Sequence, residues 1–179
     1  REIMRQTQGF DGTTVRAATE YDALGRVSRK SRPYYDVGGV TVQWTYFTYD
    51  ALGRVATSTA PNGGVSQTAY HGLSVTETNA KGQTRTVVKN SQDKVVSVTD
   101  ALGNTMTHVY DATGNLVQTT DAAGNVVTAT YDLRGRKVAS LDPNLGNWTY
   151  SYNVLSQVTS QTDAKSQTTT FTYDKLGRV

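Results

Sequence analysis

The fold of this chain is decided by residues 110–132, which read YDATGNLVQTTDAAGNVVTATYD. Asp111 and Gly114 stand first and fourth in a four-residue segment, and Asp121 and Gly124 repeat that arrangement. A type I turn favours both residue types, because an Asp carboxylate accepts hydrogen bonds from nearby backbone N–H groups and glycine tolerates a positive φ. The runs between the turns are rich in Thr and Val, which favour strands. Short strands joined by tight turns run antiparallel.

These turn residues recur at a fixed period. Successive turns open on an acidic or amide residue at alternating steps of 10 and 11, namely at Asp111, Asp121, Asp132, Asp142, Asn153, Asp163 and Asp174. Tyrosine precedes every second opener at intervals of 21, as Tyr110, Tyr131, Tyr152 and Tyr173. A constant period is typical of repeat proteins. The sequence therefore predicts an all-β fold of tandem antiparallel hairpins, about 21 residues each, paired into one continuous sheet.

The period extends to the rest of the chain with three irregularities, and it predicts a single array over residues 1–179. Residues 1–10 are a poorly patterned lead-in. A lengthened loop is predicted over residues 32–40, which contain Pro33 and two adjacent glycines. A shortened repeat near position 71 predicts a two-residue hairpin turn over His71-Gly72.

Alternation along the strands predicts one better-buried sheet face. Trp148, Tyr150 and Tyr152 fall on one side of their strand, as do Phe47 and Tyr49 on theirs. The opposite positions are mostly hydroxylated. This pattern is typical of a sheet with one covered face. A sheet of one layer is expected to bury little of its surface.

Composition excludes several classes of protein. The 179 residues include no cysteine, which excludes a disulfide framework and a thiolate metal site. Net charge is +3 without a basic run, which argues against nucleic-acid binding. No apolar stretch approaches the length of a membrane span, about 20 residues, and no signal peptide is visible. The chain is expected to be a piece of a longer protein.

The recurring Tyr-Asp-Ala-Leu-Gly-Arg-Val motif resembles the YD repeat of the RHS (rearrangement hotspot) family over nearly the whole chain, from about Phe10 to Val179. The residues that match the family motif are Tyr21, Asp22, Gly25, Arg26, Tyr49, Asp50, Gly53, Arg54, Tyr110, Asp111, Gly114, Tyr131, Asp132, Gly135, Arg136, Tyr173, Asp174, Gly177 and Arg178. Departures occur at His71, Lys89, Asn115 and Asn153.

The resemblance implies a fold and a role. Similar proteins wind their repeats into a long coiled sheet that forms a hollow shell or barrel. In bacterial polymorphic toxins and insecticidal toxin complexes the shell encloses a C-terminal toxic domain, and in teneurins a similar barrel serves adhesion. The implied partners are the remainder of the same shell and an enclosed toxin or effector domain, in a secreted or surface-delivered bacterial protein.

Several possible sites have a structural explanation. Asp142-Pro143-Asn144-Leu145-Gly146 faintly resembles the Asp-Pro-x-Gly signature at the end of RHS cores, but it is in phase with the other turns and turn chemistry explains it. Each turn offers one carboxylate, whereas Ca²⁺ needs 6–8 oxygen ligands, so a calcium ladder is disfavoured. His71 and His108 lack ligand spacing. No catalytic, cofactor-binding or metal-binding residue is assigned, because neither a nucleophile elbow nor a phosphate loop occurs.

Arginine and aromatic residues leave alternatives open. Arg26, Arg54, Arg136 and Arg178 each follow a turn glycine, and pairing with a turn carboxylate is favoured over phosphate binding. An aromatic platform for sugar could form from Tyr34, Tyr35, Trp44 and Tyr46, although sheet packing is the default. The sequence thus predicts a non-catalytic wall segment of an encapsulating shell. The alternative is an adhesive or carbohydrate-binding surface module.

Overall fold

A computed structural model describes residues 2–179, and all the regular structure in them is β. The strands are β1 (Glu2–Gln8), β2 (Thr14–Tyr21), β3 (Val27–Ser31), β4 (Tyr34–Tyr35), β5 (Trp44–Tyr49), β6 (Val55–Thr59), β7 (Val65–His71), β8 (Ser74–Thr78), β9 (Thr84–Lys89), β10 (Val95–Thr99), β11 (Thr105–Tyr110), β12 (Leu116–Thr120), β13 (Val126–Tyr131), β14 (Lys137–Asp142), β15 (Gly146–Tyr152), β16 (Val158–Thr162) and β17 (Thr168–Thr170). The all-β prediction is confirmed.

The chain divides into two compact units, residues 1–85 and residues 86–179. That residues 1–179 form a single array of repeats remains a prediction. In the second unit the strands pair antiparallel with their sequence neighbours, from β9 against β10 to β16 against β17. This order follows from the short turns, because a tight turn leaves the next strand beside the one it follows.

The first unit has the same antiparallel order with two additions. Residues 2–8, part of the predicted lead-in, form β1, which pairs with β2 along its whole length. The turn between them is closed by the bond from Gly12 N to Gly9 O, 3.1 Å. Backbone pairing with β2 therefore orders a segment that has no repeat pattern of its own.

The lengthened loop leaves the sheet after Ser31 and returns at Trp44, and these two residues pair directly. Within the loop β4 pairs with Val15 and Arg16 of β2. The loop thus extends the sheet beside the part of β2 that β3 does not reach.

The short hairpin near position 71 differs from the prediction by one residue. His71 pairs with Ser74, so the two-residue turn is Gly72-Leu73 rather than His71-Gly72. Gly72 has φ +61°, as a type II′ turn requires at its first central position. The turn moves because only glycine fits that position without steric cost.

Neither unit has a conventional hydrophobic core. Ala18, 1% exposed, is the only buried hydrophobic residue among residues 2–179. In β15 Trp148, Tyr150 and Tyr152 are half-buried while the alternate residues are exposed. The two faces of β15 therefore differ as predicted, whereas β6, β10 and β16 are half-buried on both faces.

Candidate functional site

The most frequent motif of the sequence is the four-residue turn together with the residue that follows it, which we call a repeat corner. The corner from Asp132 to Arg136 shows its backbone geometry. Gly135 N donates to Asp132 O at 2.9 Å, and Asp132 N donates to Arg136 O at 2.9 Å. The Oδ1 atom of Asp132 accepts the N–H groups of Arg134 and Arg136 at 2.9 and 3.0 Å. Gly135 has φ +75°, which a β-branched residue disfavours. One carboxylate oxygen thus holds the backbone of the turn.

The second carboxylate oxygen binds the arginine that follows the turn glycine. Arg136 Nε and Nη2 lie 2.7 and 2.6 Å from Asp132 Oδ2. The same i,i+4 pair joins Arg26 to Asp22, Arg54 to Asp50 and Arg178 to Asp174. The guanidinium presents two donors in a fixed fork, which suits a single carboxylate. These arginines therefore pair with the carboxylates of their own turns, as expected.

Three of these arginines also reach the tyrosine of the next repeat. Arg136 lies over the ring of Tyr152, with 4.8 Å between Cζ and the ring centroid. Arg26 lies over Tyr49 at 4.5 Å and Arg54 over Tyr70 at 4.1 Å. Each contact is a cation–π interaction, which contributes about 0.5–1 kcal/mol at exposed sites. The corner of one repeat is thereby attached to the side chain of the next.

The tyrosine hydroxyl completes the link between repeats. Tyr152 Oη donates to Lys137 O at 2.7 Å, and Lys137 is the strand residue that directly follows Arg136. The same bond over 15 residues runs from Tyr70 to Val55, Tyr110 to Val95, Tyr131 to Leu116 and Tyr173 to Val158. Tyr49 makes it to Val27 over 22 residues, because the long loop intervenes.

A β-bulge accompanies five of the tyrosine corners, whereas the hairpin that follows Tyr70 keeps regular register. Tyr131 pairs with Lys137 while Thr130 pairs with Ala139, which leaves Val138 in excess. Corresponding shifts occur beside Tyr21, Tyr49, Tyr110 and Tyr152. The intervening hairpins, such as the β12–β13 pair, keep regular register. A bulge increases local twist, so we expect additional twist at these five corners.

Two of the corners that a tyrosine precedes lack the arginine and keep only part of the linkage. Asn115 Nδ2 donates to Asp111 Oδ2 at 2.9 Å, and Asn153 Nδ2 donates to Gln157 Oε1 at 2.6 Å. Tyr131 and Tyr173, the next tyrosines, retain their hydroxyl bonds. The hydroxyl bond therefore does not depend on a stacked arginine.

Hydrogen bonding favours the charged form of the corner carboxylates. The side chain of Asn115, then its backbone N–H, lowers the pKa of Asp111 from 3.8 to about 2. The pKa of Asp132 is lowered chiefly by the hydrogen bond from the Arg136 side chain. The backbone N–H of Arg26 is the largest cause of the lowered pKa of Asp22. These groups are ionised at neutral pH and serve as fixed acceptors.

The other candidate residues are dispersed. Asp142 pairs with Gly146 at a hairpin turn, and its Oδ1 accepts the N–H groups of Asn144 and Leu145 at 2.7 and 3.0 Å. His108 Nδ1 lies 3.2 Å from Thr119 Oγ1. Within the part of the chain that the structure describes, no three His, Asp or Glu side chains gather as they would around a metal ion.

The predicted aromatic platform is divided between two open clefts of the first unit. Trp44 and Tyr46 line a cleft of about 430 Å³ together with Pro61. Tyr34 and Tyr35 line a neighbouring cleft of about 230 Å³, which shares Thr41 and Gln43 with the first. The structure therefore joins two of the four aromatic residues at one site.

Sequence reasoning missed the two contacts that connect the repeats. It placed the repeat tyrosines on the better-buried sheet face and paired the arginines with their own turns, although Tyr152 and Arg136 each also contact the neighbouring repeat. The signal was present, because Arg and Tyr recur in one phase and every second turn lies at the same sheet edge. The acceptor is a backbone carbonyl, which the sequence pattern does not identify.

Comparison with known proteins gives a family and a fold. The RHS Repeat family matches residues 21–65, 90–126, 110–146 and 152–179. No protein with a curated description matches significantly. A crystal structure of TcdB2-TccC3-Cdc42 superposes with a TM-score of 0.73 at 17% identity, over 97% of this chain and 11% of that one.

A Photorhabdus luminescens Tc holotoxin pore superposes with a TM-score of 0.70 at 17% identity, also over 97% of this chain and 11% of that one. The chain thus spans about a tenth of the length of the structures it resembles. Within residues 2–179 no helix has the length and hydropathy of a membrane span.

Proposed function

Because the chain belongs to the RHS repeat family, we propose that it forms part of the wall of a β-shell that encloses a toxin or effector domain. The proposal places the wall in a secreted or surface-delivered bacterial protein. Its partners are the remaining repeats of the same shell and the enclosed domain. The segment has a mechanical role and performs no chemistry itself.

The single observation that supports this most is the linkage between successive corners. Arg136 binds Asp132 in its own turn and lies over Tyr152 of the next repeat. Tyr152 in turn donates to Lys137 O. A sheet with almost no buried core needs stabilisation within its plane, and these contacts supply it at one edge, where every second turn lies.

The second support is the difference between the faces. Trp148, Tyr150 and Tyr152 are half-buried on one face, while the opposite residues of β15 are exposed. A sheet with two unlike faces suits a wall, because each face can meet a different environment. The superposition on TcdB2-TccC3 over 97% of the chain is consistent with a segment of a larger assembly.

The test uses the natural gene product that contains this chain, whole, and measures protease resistance. A Gly53→Val, Gly114→Val and Gly135→Val triple variant is compared with wild type and with Gln118→Ala, which leaves the turns intact. We expect the wild type and the control to resist digestion. We expect the triple variant to be digested rapidly. Equal digestion of all three would contradict enclosure. Electron microscopy of the same samples should show a hollow particle only where protection is found.

A further inference from the structure

The corner between β6 and β7 opens on Ala60, so it lacks the carboxylate or amide that opens most corners of this chain. Its backbone is closed in the usual way, because Gly63 N donates to Ala60 O at 2.9 Å and Ala60 N donates to Gly64 O at 2.8 Å. Asn62 supplies the side-chain acceptor instead, since its Oδ1 accepts the N–H of Gly64 at 3.1 Å. The acceptor of this corner therefore belongs to the third residue of the turn.

Asn62 and Gly63 form the only Asn-Gly pair in the sequence, and both residues are exposed. In such a pair the backbone nitrogen of the glycine can attack Cγ of the asparagine side chain, because glycine has no Cβ to hinder the approach. The new C–N bond closes a succinimide ring, and ammonia leaves. Water then adds to either carbonyl of the ring and breaks one C–N bond, which gives an aspartyl or an isoaspartyl residue.

The closed corner keeps the two reacting groups apart. Asn62 does not have a positive φ, so the turn over residues 60–63 is type I, with ψ of about 0° at its third residue. At that angle the Gly63 nitrogen points away from the Asn62 side chain. The hydrogen on this nitrogen is also bonded to Ala60 O, and Asn62 Oδ1 is bonded to Gly64 N. Ring closure therefore requires local opening of the corner.

A second corner of the first unit shows how an aspartate behaves at this position. The turn over residues 9–12 also opens on a residue without a side-chain acceptor, and Asp11 is its third residue. Asp11 Oδ1 accepts the N–H of Thr13 at 3.0 Å, which is the bond that Asn62 makes in its own corner. Hydrogen bonds from the side chain and then the backbone of Thr13 lower the pKa of Asp11. A charged carboxylate therefore fits this place in a corner.

We propose that Asn62 is a site of spontaneous deamidation, that opening of its corner controls the reaction, and that the aspartyl product closes the corner again. The aspartyl product has the carboxylate that Asp11 has in the other corner, and a charged acceptor makes the stronger hydrogen bond. The isoaspartyl product adds one methylene group to the backbone, which breaks the match between Gly63 N and Ala60 O. This site is additional to the wall function and does not require it.

The experiment follows conversion of Asn62 by mass spectrometry of peptides from the 179-residue chain. The chain is incubated at neutral pH in buffer and in concentrated guanidinium chloride. We expect conversion to be at least tenfold faster in the denaturant, because an open corner frees both reacting groups. Asn79, which Ala80 follows in another corner, is the internal reference and should convert far more slowly in both solutions. Equal Asn62 rates in the two solutions would overturn the proposal, as would absence of conversion in the denaturant.

Pro61→Ala tests the control by the corner without unfolding the chain. Proline fixes φ at the second turn position, so its loss should open the corner more often and accelerate conversion in buffer by a factor of about two to five. The rate in guanidinium chloride should not change. Pro143→Ala, in the turn of the β14–β15 hairpin, is the matched control and should leave the Asn62 rate unchanged. Equal effects of the two variants would contradict control by this corner.

Asn62→Asp supplies the aspartyl product directly. Its melting temperature at neutral pH should equal or exceed that of wild type, whereas Asn62→Ala, which removes the acceptor, should lower it. Equal losses in the two variants would show that the aspartyl product does not close the corner. None of these outcomes bears on protease protection, so failure here is distinct from failure of the wall function.

Discussion

The hydroxyl of Tyr152 donates a 2.7 Å hydrogen bond to the carbonyl of Lys137, which lies 15 residues earlier and one repeat away. Arg136, the residue before Lys137, lies over the same tyrosine ring. One side chain therefore meets the preceding repeat through two different contacts. This double contact explains why the tyrosine recurs at the same strand position in successive repeats. A shift by one residue would move its ring to the other face of the sheet.

Tyr152→Phe should lower the free energy of unfolding by about 1 kcal/mol, because it removes one hydrogen bond and leaves the Lys137 carbonyl without its donor. The measurement is urea denaturation followed by circular dichroism. Tyr150→Phe is the matched control, since Tyr150 lies on the same strand and contacts Lys137 Nζ through its ring. Equal effects of the two substitutions would show that the hydroxyl bond contributes nothing specific.

Asn115→Arg should stabilise the chain by about 0.5–1 kcal/mol, because it restores the arginine that the other corners stack on a tyrosine. The new side chain would keep the bond to Asp111 and cover Tyr131. Thermal and urea midpoints measure the gain. Asn104→Arg is the control, because Asn104 also donates to its turn carboxylate, Asp100, at a corner that no tyrosine precedes. A gain of equal size in the control would refute the stacking explanation.

Acid should weaken the corners over a defined range of pH. The folded pKa of Asp111 is about 2 and its ordinary value is 3.8. A carboxyl with a lowered folded pKa stabilises the fold above its unfolded pKa, and that stabilisation disappears as pH falls through the folded value. Urea midpoints should therefore be steady near pH 5 and decline between about pH 4 and pH 2.

Asp111→Asn should make that decline shallower, since the variant has no proton to bind at this corner. Glu77→Gln is the control, because the Glu77 carboxylate lies 3.8 Å from Arg85 in an exposed pair and outside any corner. If the two variants and wild type decline in parallel, the corner carboxylate is not the source of the pH dependence.

The triple substitution Gly53→Val, Gly114→Val and Gly135→Val should abolish folding. All three glycines have positive φ, at 78°, 88° and 75°, where a β-branched side chain is strained. Circular dichroism and the melting curve report the loss. A triple variant with the melting curve of wild type would refute the turn assignment.

A substitution to glycine, at a corner where another residue has a positive φ, provides the reciprocal control. Ser156 has φ +65° in the position that glycine holds elsewhere, so Ser156→Gly should raise the melting temperature. Ser140→Gly, within β14, should lower it, because glycine weakens a strand. Effects of the same sign at both sites would contradict the conformational argument.

Local chemistry made much of the fold predictable. Asp, Gly and the period of the corners set the turns, and the turns set the antiparallel order of the strands. The pairing of Asp132 with Arg136 was equally accessible, because both residues belong to one turn. The exception was the hairpin at Gly72-Leu73. The shortened repeat allowed the turn to lie over His71-Gly72 or over Gly72-Leu73, and the positive φ of Gly72 decided between them.

Sequence alone determined that this chain forms hairpins with corners of Asp and Gly, because a turn depends on residues within five positions of one another. Only the tertiary structure decided what Tyr152 binds and how β1 and β4 join β2. It also decided that Trp44 and Tyr46 line one cleft and that Tyr34 and Tyr35 line a neighbouring one. Those relationships depend on the register between strands and on backbone acceptors. A carbonyl is the same in every residue, so no sequence pattern identifies the one that a side chain will bind.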